Sequence, residues 1–223
     1  MVGMSDDVTV VLALKRLREA KSRLAGHTPS PQAREALVAA MFTDTVRAVQ
    51  VAGAARIVVV SPDPEVRRRA IGLGIDALAE APDTGGLNDA LALGAATARP
   101  GHDVLYLQAD LPALTAASFA QARIAAHAHP VAFVADRHGT GTALLAVSAG
   151  HPFVPGFGPG SAARHRAAGA VELDPDRKRW PDLRCDVDTL ADLRAALALR
   201  PGPATVAVTG EPAGDVAPRE PQR

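Results

Sequence analysis

Short, wholly apolar runs alternate along the chain with longer stretches in which apolar residues recur every three or four positions. The first kind reads as strands buried on both faces, the second as helices with one face on a core. Val8 to Leu14 is the first strand. Ser30 followed by Pro31 marks a helix start, N-cap then first helical position. Leu37, Met41, Val46 and Val49 lay an apolar stripe behind it. Ile57 to Val60 is a second strand, closed by the turn Ser61-Pro62-Asp63-Pro64. A short helix over Glu65 to Ala70 leads to a third strand, Ile75 to Ala79. Asp83 to Gly86 reads as a loop and Leu87 to Ala98 as a helix. Val104 to Leu107 is a strongly apolar fourth strand, Thr115 to Ala128 a helix, and Val131 to Val134 a fifth strand. This rhythm predicts an α/β fold with βαβ crossovers and a mainly parallel sheet.

After the fifth strand the rhythm loosens. Thr142 to Val147 is a strand reached through a glycine turn instead of a helix, which predicts an antiparallel insertion. Pro152 to Gly160 is a Gly/Pro loop leading into a helix from Ser161. Val171 to Leu173 is a short strand and Asp188 to Arg200 the closing helix. The chain then becomes PGPATVAVTGEPAGDVAPREPQR, with five prolines and no period. Residues 1–200 are therefore expected to form the domain and 201–223 a disordered tail.

Composition narrows the picture. The 223 residues are 48% hydrophobic but only 3% aromatic, so the core is aliphatic. Acidic and basic residues balance at 24 each, which removes any global pull toward nucleic acid or membrane. The isolated Trp180 and Tyr106 argue against a base-stacking platform. One cysteine, Cys185, excludes an intrachain disulfide framework and fits a reducing compartment. The N-terminus carries acids where a signal peptide has basic charge, and no apolar run reaches membrane-spanning length, so a cytoplasmic protein is expected.

Ligands of open parallel sheets bind beyond the carboxyl ends of the strands. The first strand runs into Lys15-Arg16-Leu17-Arg18-Glu19-Ala20-Lys21-Ser22-Arg23, five of whose nine residues are basic. Such a cluster suits a triphosphate, or else is a solvated charged face. Asp110 follows the most hydrophobic strand, where a carboxylate suits a divalent ion bridging phosphates, or else caps a helix or turn. Asp186 and Asp188 precede the last helix. They are read as pointing to opposite sides of an extended segment, one toward a metal and one, with Thr189, toward the helix start. Gly139-Thr140-Gly141-Thr142 is either a phosphate loop or a hairpin turn. Gly156 to Ser161 ends at a predicted helix N-terminus, which favours an anion. There is no P-loop, no H-E-x-x-H zinc motif and no G-x-S-x-G elbow.

The segments VLALKRLREAKSRLAG, GLNDAL, LQADLPAL, ADRHGTGTALL, FGPGSAARHRAAGAVEL and LRCDVDTLADL occur in that order between about Val8 and Leu197. In order and spacing the chain resembles the guanylyltransferases of coenzyme F-420 (deazaflavin) biosynthesis, which act on 2-phospho-L-lactate or phosphoenolpyruvate. The resemblance implies a Rossmann-like three-layer nucleotidyltransferase of the nucleotide-diphospho-sugar transferase type. It implies that Lys15, Lys21 and Arg23 contact the phosphates of GTP, that Asn88 helps seat the nucleoside, and that Asp110 and Asp186 hold Mg2+. It further implies that Thr142, Gly158 and Ser161 bind the phosphorylated acid, with Asp136 lining the same pocket. Catalysis then falls to Asp110, Asp186 and Lys21, and a homodimer is a family-level expectation. Ala109 stands where glycine is expected, and Asp174 to Trp180 is longer than in relatives. The Ala/Arg-rich style favours phosphoenolpyruvate over 2-phospho-L-lactate. Transfer to a sugar phosphate or molybdopterin, and a non-catalytic nucleotide-binding domain, are the competing readings.

Overall fold

A computed structural model of the chain describes residues 8–80 and 86–210. The strands are β1 (Val8–Ala13), β2 (Arg56–Ser61), β3 (Asp76–Ala79), β4 (Asp103–Leu107), β5 (Val131–Ala135), β6 (Thr142–Val147) and β7 (Val171–Glu172). They form one sheet in the order β3-β2-β1-β4-β6-β5-β7. Every pairing is parallel except those of β6, which runs against both β4 and β5. The expected antiparallel insertion is therefore this one strand. The helices are α1 (Pro31–Val51), α2 (Pro64–Gly72), α3 (Leu87–Ala95), α4 (Ala116–Ala126), α5 (Ser161–Ala167), α6 (Leu190–Ala198) and α7 (Pro203–Thr209), with a 3-10 turn over Ser22–His27. Of the loop expected at Asp83 to Gly86, only Gly86 lies within the described residues.

Side chains alternate across a strand, so a central strand must be apolar at every position. In β1, Val8, Val10 and Leu12 face one layer, with Leu37, Met41 and Phe42 of α1 and Phe119 of α4. Val11 faces the other, with Leu91 of α3 and Ala162 of α5. The same division runs through Leu105 and Tyr106, and through Val134 and Phe133. The three layers follow from it.

Helix starts match their sequence signals. Ser30 Oγ accepts from Ala33 N–H and Asp63 caps α2 through Glu65 N–H, each with proline in the first turn. Thr189, not Asp188, caps α6 in a capping box with Asp192. No helix among the described residues is long and apolar enough to cross a membrane.

The expected boundary at residue 200 does not hold. The chain folds back as α7, whose first amides, Ala204 N–H and Thr205 N–H, donate to the buried Asp44 carboxylate at 3.1 and 2.7 Å. Gly202 sits so close to Asp44 that any Cβ there would collide with it, and its N–H donates to Pro112 O at 2.8 Å. The cap comes from a helix far away in sequence, which is why composition missed it. Residues 211–223 lie outside the described residues. Ending the chain at Arg200 strips a buried carboxylate of both donors, at a cost of about 1–3 kcal/mol, so the melting temperature falls by about 5 °C. Ending it after Gly210 keeps α7 and is the control; equal melting temperatures for the two truncations would show that α7 contributes nothing.

Candidate active site

β1 leads away to β2 on one side, while β4 has β6 on its other side. The carboxyl ends of adjacent, parallel β1 and β4 therefore flank a topological switch point, where such sheets open a crevice. β1 delivers the basic segment Lys15 to Arg23 to that edge and β4 delivers Asp110. The backbone there is pinned from three directions. Leu17 N–H donates to Asp63 Oδ2 at 2.9 Å, Leu111 N–H to Thr45 Oγ1 at 3.0 Å, and Val187 N–H to Asp110 O at 3.2 Å.

Lys21 is the basic residue that reaches the centre, from a left-handed backbone position with φ 54°. Its Nζ is ion-paired with Asp110 Oδ2 and lies 2.5 Å from Asp188 Oδ1. Burial works to lower the ammonium pKa, but Asp110 and Asp188 more than offset it, and the net direction is upward. Lys15 and Arg23 are exposed at the same edge. Asp110 is 4% exposed, and its second oxygen, Oδ1, is buried with no hydrogen-bond partner. Burial, and then the Asp110 charge, push the Asp186 carboxyl up to about 8. A cluster of carboxylates with one lysine between them and an orphaned oxygen is short of positive charge.

Asp186 and Asp188 both act on this cluster, which corrects the expectation that they face opposite sides. Residues two apart in extended chain share a face. The helix cap passes to Thr189, leaving both aspartates to the site.

The raised carboxyl gives a signed prediction. Asp186 holds in the folded chain a proton that it loses on unfolding at neutral pH. The stability linked to it is full below about 4, the ordinary carboxylate value, and is lost as pH rises through about 8. In the presence of a chelator, Asp186→Asn protein should therefore melt increasingly higher than wild type as pH rises from about 6 to about 9. A difference that stays constant over that range would remove the strained carboxyl from the account.

On the other side of β4 lie the residues expected to hold the phosphorylated acid. Asp136 commits both oxygens to the β5–β6 turn, accepting from Thr140 N–H at 2.9 Å and Gly141 N–H at 2.8 Å. A Cβ at Gly141 would strike this carboxylate. Asp136 thus clamps the turn from Gly139 to Thr142, which joins β5 to β6 as a hairpin. Thr142 and Ser161 are each 1% exposed and joined by a 3.0 Å hydrogen bond. Gly158 is half-buried, with φ 115°. The free amides expected at the start of α5 are already used: Ala162 N–H donates to Thr140 O and Ser161 N–H to Gly158 O. Asn88 places its carboxamide against the backbone of the glycine-rich loop. Its Oδ1 accepts from Phe157 N–H at 2.8 Å and its Nδ2 donates to Phe157 O at 3.1 Å, which ties α3 to the glycine-rich loop.

Three residues that sequence reasoning passed over hold this geometry. Arg184, 2% exposed, donates to Ala135 O, Arg179 O, Leu173 O and the Asp174 carboxylate. It fixes the long stretch from Asp174 to Trp180, in which Asp174, Arg177 and Trp180 have left-handed backbones, and thereby the segment carrying Asp186. Asp182 accepts from Thr115 and Ser118 at the start of α4. Thr45 holds Leu111, next to Asp110. An arginine two residues before a candidate metal aspartate was the one available signal. Ala109, in the expected glycine position, is 4% exposed in the core. Cys185 is buried and its thiol pKa is pushed up by that burial, as suits a packing role.

A family model described as the MobA-like NTP transferase domain matches residues 13–178. The chain belongs to this nucleotidyltransferase family. Within the family it is 46% identical over 204 residues to a phosphoenolpyruvate guanylyltransferase of Mycolicibacterium gilvum, covering 89% of this chain and 93% of that protein. A Streptomyces scabiei protein of the same name is 48% identical over 206 residues, covering 89% and 94%. These relatives place the chain among the phosphoenolpyruvate guanylyltransferases. Several solved structures share the fold at much lower identity. A nucleotidyl transferase from Methanothermobacter thermautotroptrophicus superposes with a TM-score of 0.61 at 18% identity, over 86% of this chain and 97% of that one. A structure described as a nucleotide-diphospho-sugar transferase from Desulfovibrio desulfuricans G20 gives 0.60 at 14%, over 88% and 97%. A Mycobacterium tuberculosis H37Rv protein in complex with manganese gives 0.55 at 16%, over 86% and 97%.

Proposed function

We propose that the chain transfers GMP from GTP to phosphoenolpyruvate with release of pyrophosphate, in the coenzyme F-420 route that its sequence resemblance implies. High identity over nine-tenths of the chain to relatives bearing that name supports the acceptor. The observation that carries the chemistry is the orphaned Asp110 Oδ1, buried opposite Asp186 and beside Lys21.

A phosphate oxygen of the acceptor attacks the α-phosphorus of GTP. The new P–O bond forms as the bond to the β-phosphate oxygen breaks, and pyrophosphate leaves with that electron pair. The nucleophile is already ionised at neutral pH, so no protein base is required. The obstacle is repulsion between two polyanions, and catalysis is positioning and electrostatics. Lys21, held at the centre of the edge, neutralises part of the charge on the departing pyrophosphate. Lys15 and Arg23, exposed beside it, draw in the phosphate tail of GTP.

Asp110 and Asp186 are the residues that would hold a divalent ion, Mg2+ in this reading. Two carboxylates, one with an unpartnered oxygen and one pushed toward its neutral form, fit an ion that takes its remaining ligands from phosphates and water. When bound, such an ion offsets the phosphate charge and stabilises what develops on the reacting oxygens.

The test is pyrophosphate release by the purified chain with GTP and Mg2+, comparing phosphoenolpyruvate with 2-phospho-L-lactate. Release with phosphoenolpyruvate and a guanosine diphospho adduct of matching mass is the expected result. Release with 2-phospho-L-lactate alone would change the acceptor, and GTP binding without turnover on either would overturn the reading.

A further inference from the structure

The chain carries a buried histidine that the chemistry above does not use. His165, on α5, is 1% exposed and stands edge-on to Phe157 and Phe133, with ring centroids 5.2 and 5.9 Å away. Its Nε2 lies 3.0 Å from Gly156 N, and its Nδ1 lies 2.9 Å from Thr142 Oγ1.

A backbone N–H can only donate, so Nε2 must be the ring's lone-pair nitrogen. The single ring proton then sits on Nδ1 and is donated to Thr142 Oγ1. A second ring proton would meet the Gly156 N–H head-on, and burial followed by the neighbouring Arg164 charge keeps the ring neutral down to about pH 4. The direction of the chain is thus set by one peptide N–H. Gly156, His165, Thr142 and Ser161 bring four protons to this chain and make three hydrogen bonds. One hydroxyl proton is left over, in the buried Thr142–Ser161 pair, with no acceptor among the described residues. Had the ring carried its proton on Nε2, Thr142 would donate to the histidine, Ser161 to Thr142, and none would be left. The tautomer decides whether the pair is a net donor.

We propose that His165 is a positioning residue for the acceptor end of the site: fixed by Gly156 as the Nδ1–H tautomer, it makes the Thr142–Ser161 hydroxyl pair a net donor that selects an anionic oxygen of the phosphorylated acid. This rests on the proposed function and deepens it. A carboxylate or phosphate oxygen accepts and cannot donate, so it matches a surplus hydroxyl proton and competes well with water for it. The same ring ties the glycine-rich loop at Gly156 to β6 and α5, so loop and hydroxyl pair are set together.

The experiment separates the two nitrogens. Asn at 165 places a carboxamide at the reach of Nδ1 and can still donate to Thr142. Gln reaches the Nε2 position and can accept from Gly156, but removes the Nδ1–H that holds Thr142 Oγ1 as an acceptor, so the pair keeps a spare proton that is no longer aimed at the acceptor oxygen. Pyrophosphate release is measured for wild type, His165→Asn and His165→Gln, varying phosphoenolpyruvate and GTP in turn. His165→Gln should raise KM for phosphoenolpyruvate about tenfold, the worth of one charge-assisted hydrogen bond, with KM for GTP unchanged. His165→Asn should recover most of that loss. Equal effects of the two variants, or a matching rise in KM for GTP, would reduce His165 to packing. If neither variant folds, 15N chemical shifts of the wild-type ring decide: an unprotonated Nε2 and a protonated Nδ1 are required, and the opposite tautomer overturns the proposal. Wild-type protein that shows this tautomer but releases no pyrophosphate with phosphoenolpyruvate would remove the acceptor assignment, and with it the substrate half of this inference.

Discussion

Asp110→Asn protein should fold, bind GTP and release pyrophosphate about 10²–10³-fold more slowly than wild type. Charge stabilisation by a bound divalent ion contributes several kcal/mol to such a transfer, and each 1.4 kcal/mol or so is a factor of ten in rate. The substitution keeps the shape of the side chain and removes the anionic oxygen that has no partner in the protein. It also removes the charge that, after burial, does most to push Asp186 up. The variant should therefore be no less stable than wild type in the presence of a chelator. It should lose most of the stabilisation that added Mg2+ gives wild type. Steady-state pyrophosphate release and thermal melts with and without Mg2+ check both halves. Full activity would remove Asp110 from the chemistry, and a large drop in melting temperature would make it a folding residue instead.

Lys21→Met should damage both activity and stability. The ammonium is the cation that the described structure places between Asp110 and Asp188, and its side chain is only 13% exposed. Removing one partner of a buried pair leaves charge uncompensated, at about 3–5 kcal/mol, or on the order of 10 °C in a chain of this size. The loss should be partly restored by Mg2+, which supplies positive charge to the same carboxylates, and the restoration should exceed the shift Mg2+ gives wild type. Turnover should fall even at saturating Mg2+, because the leaving pyrophosphate loses a cation. A variant with wild-type melting temperature and turnover would show that the buried ammonium is incidental. Scanning melts across Mg2+ concentration alongside turnover distinguishes these cases.

Much of the fold was legible because its signals are local. β1 and β2 are buried on both faces, so they appear as unbroken apolar runs. Ser30 before Pro31 and the glycine turn before Thr142 are each decided by backbone chemistry within a few residues. The candidate site was proposed on the same ground, since a strand's end in a parallel sheet marks the binding edge, and Asp110 follows the fourth strand by three residues. What was not legible is partnership across the fold. Asn88 is bound to Phe157 and Asp136 to its own turn, and the expected disordered tail failed because the amides of α7 find Asp44.

The sequence by itself determined the seven strands, the helices from α1 to α6 to within a few residues, and that a carboxylate and a basic run follow strands at one edge of the sheet. These follow from side-chain periodicity and capping, which act over a handful of positions. Only the tertiary structure decided that Lys21 meets Asp188, 167 residues away, that Arg184 is buried beneath the segment carrying Asp186, and which proton His165 carries. Such pairings depend on strand order and on how each buried polar group finds a partner once water is excluded. That choice is made by the whole packed chain, because a donor or acceptor left unmatched in the interior costs more than any local preference can return.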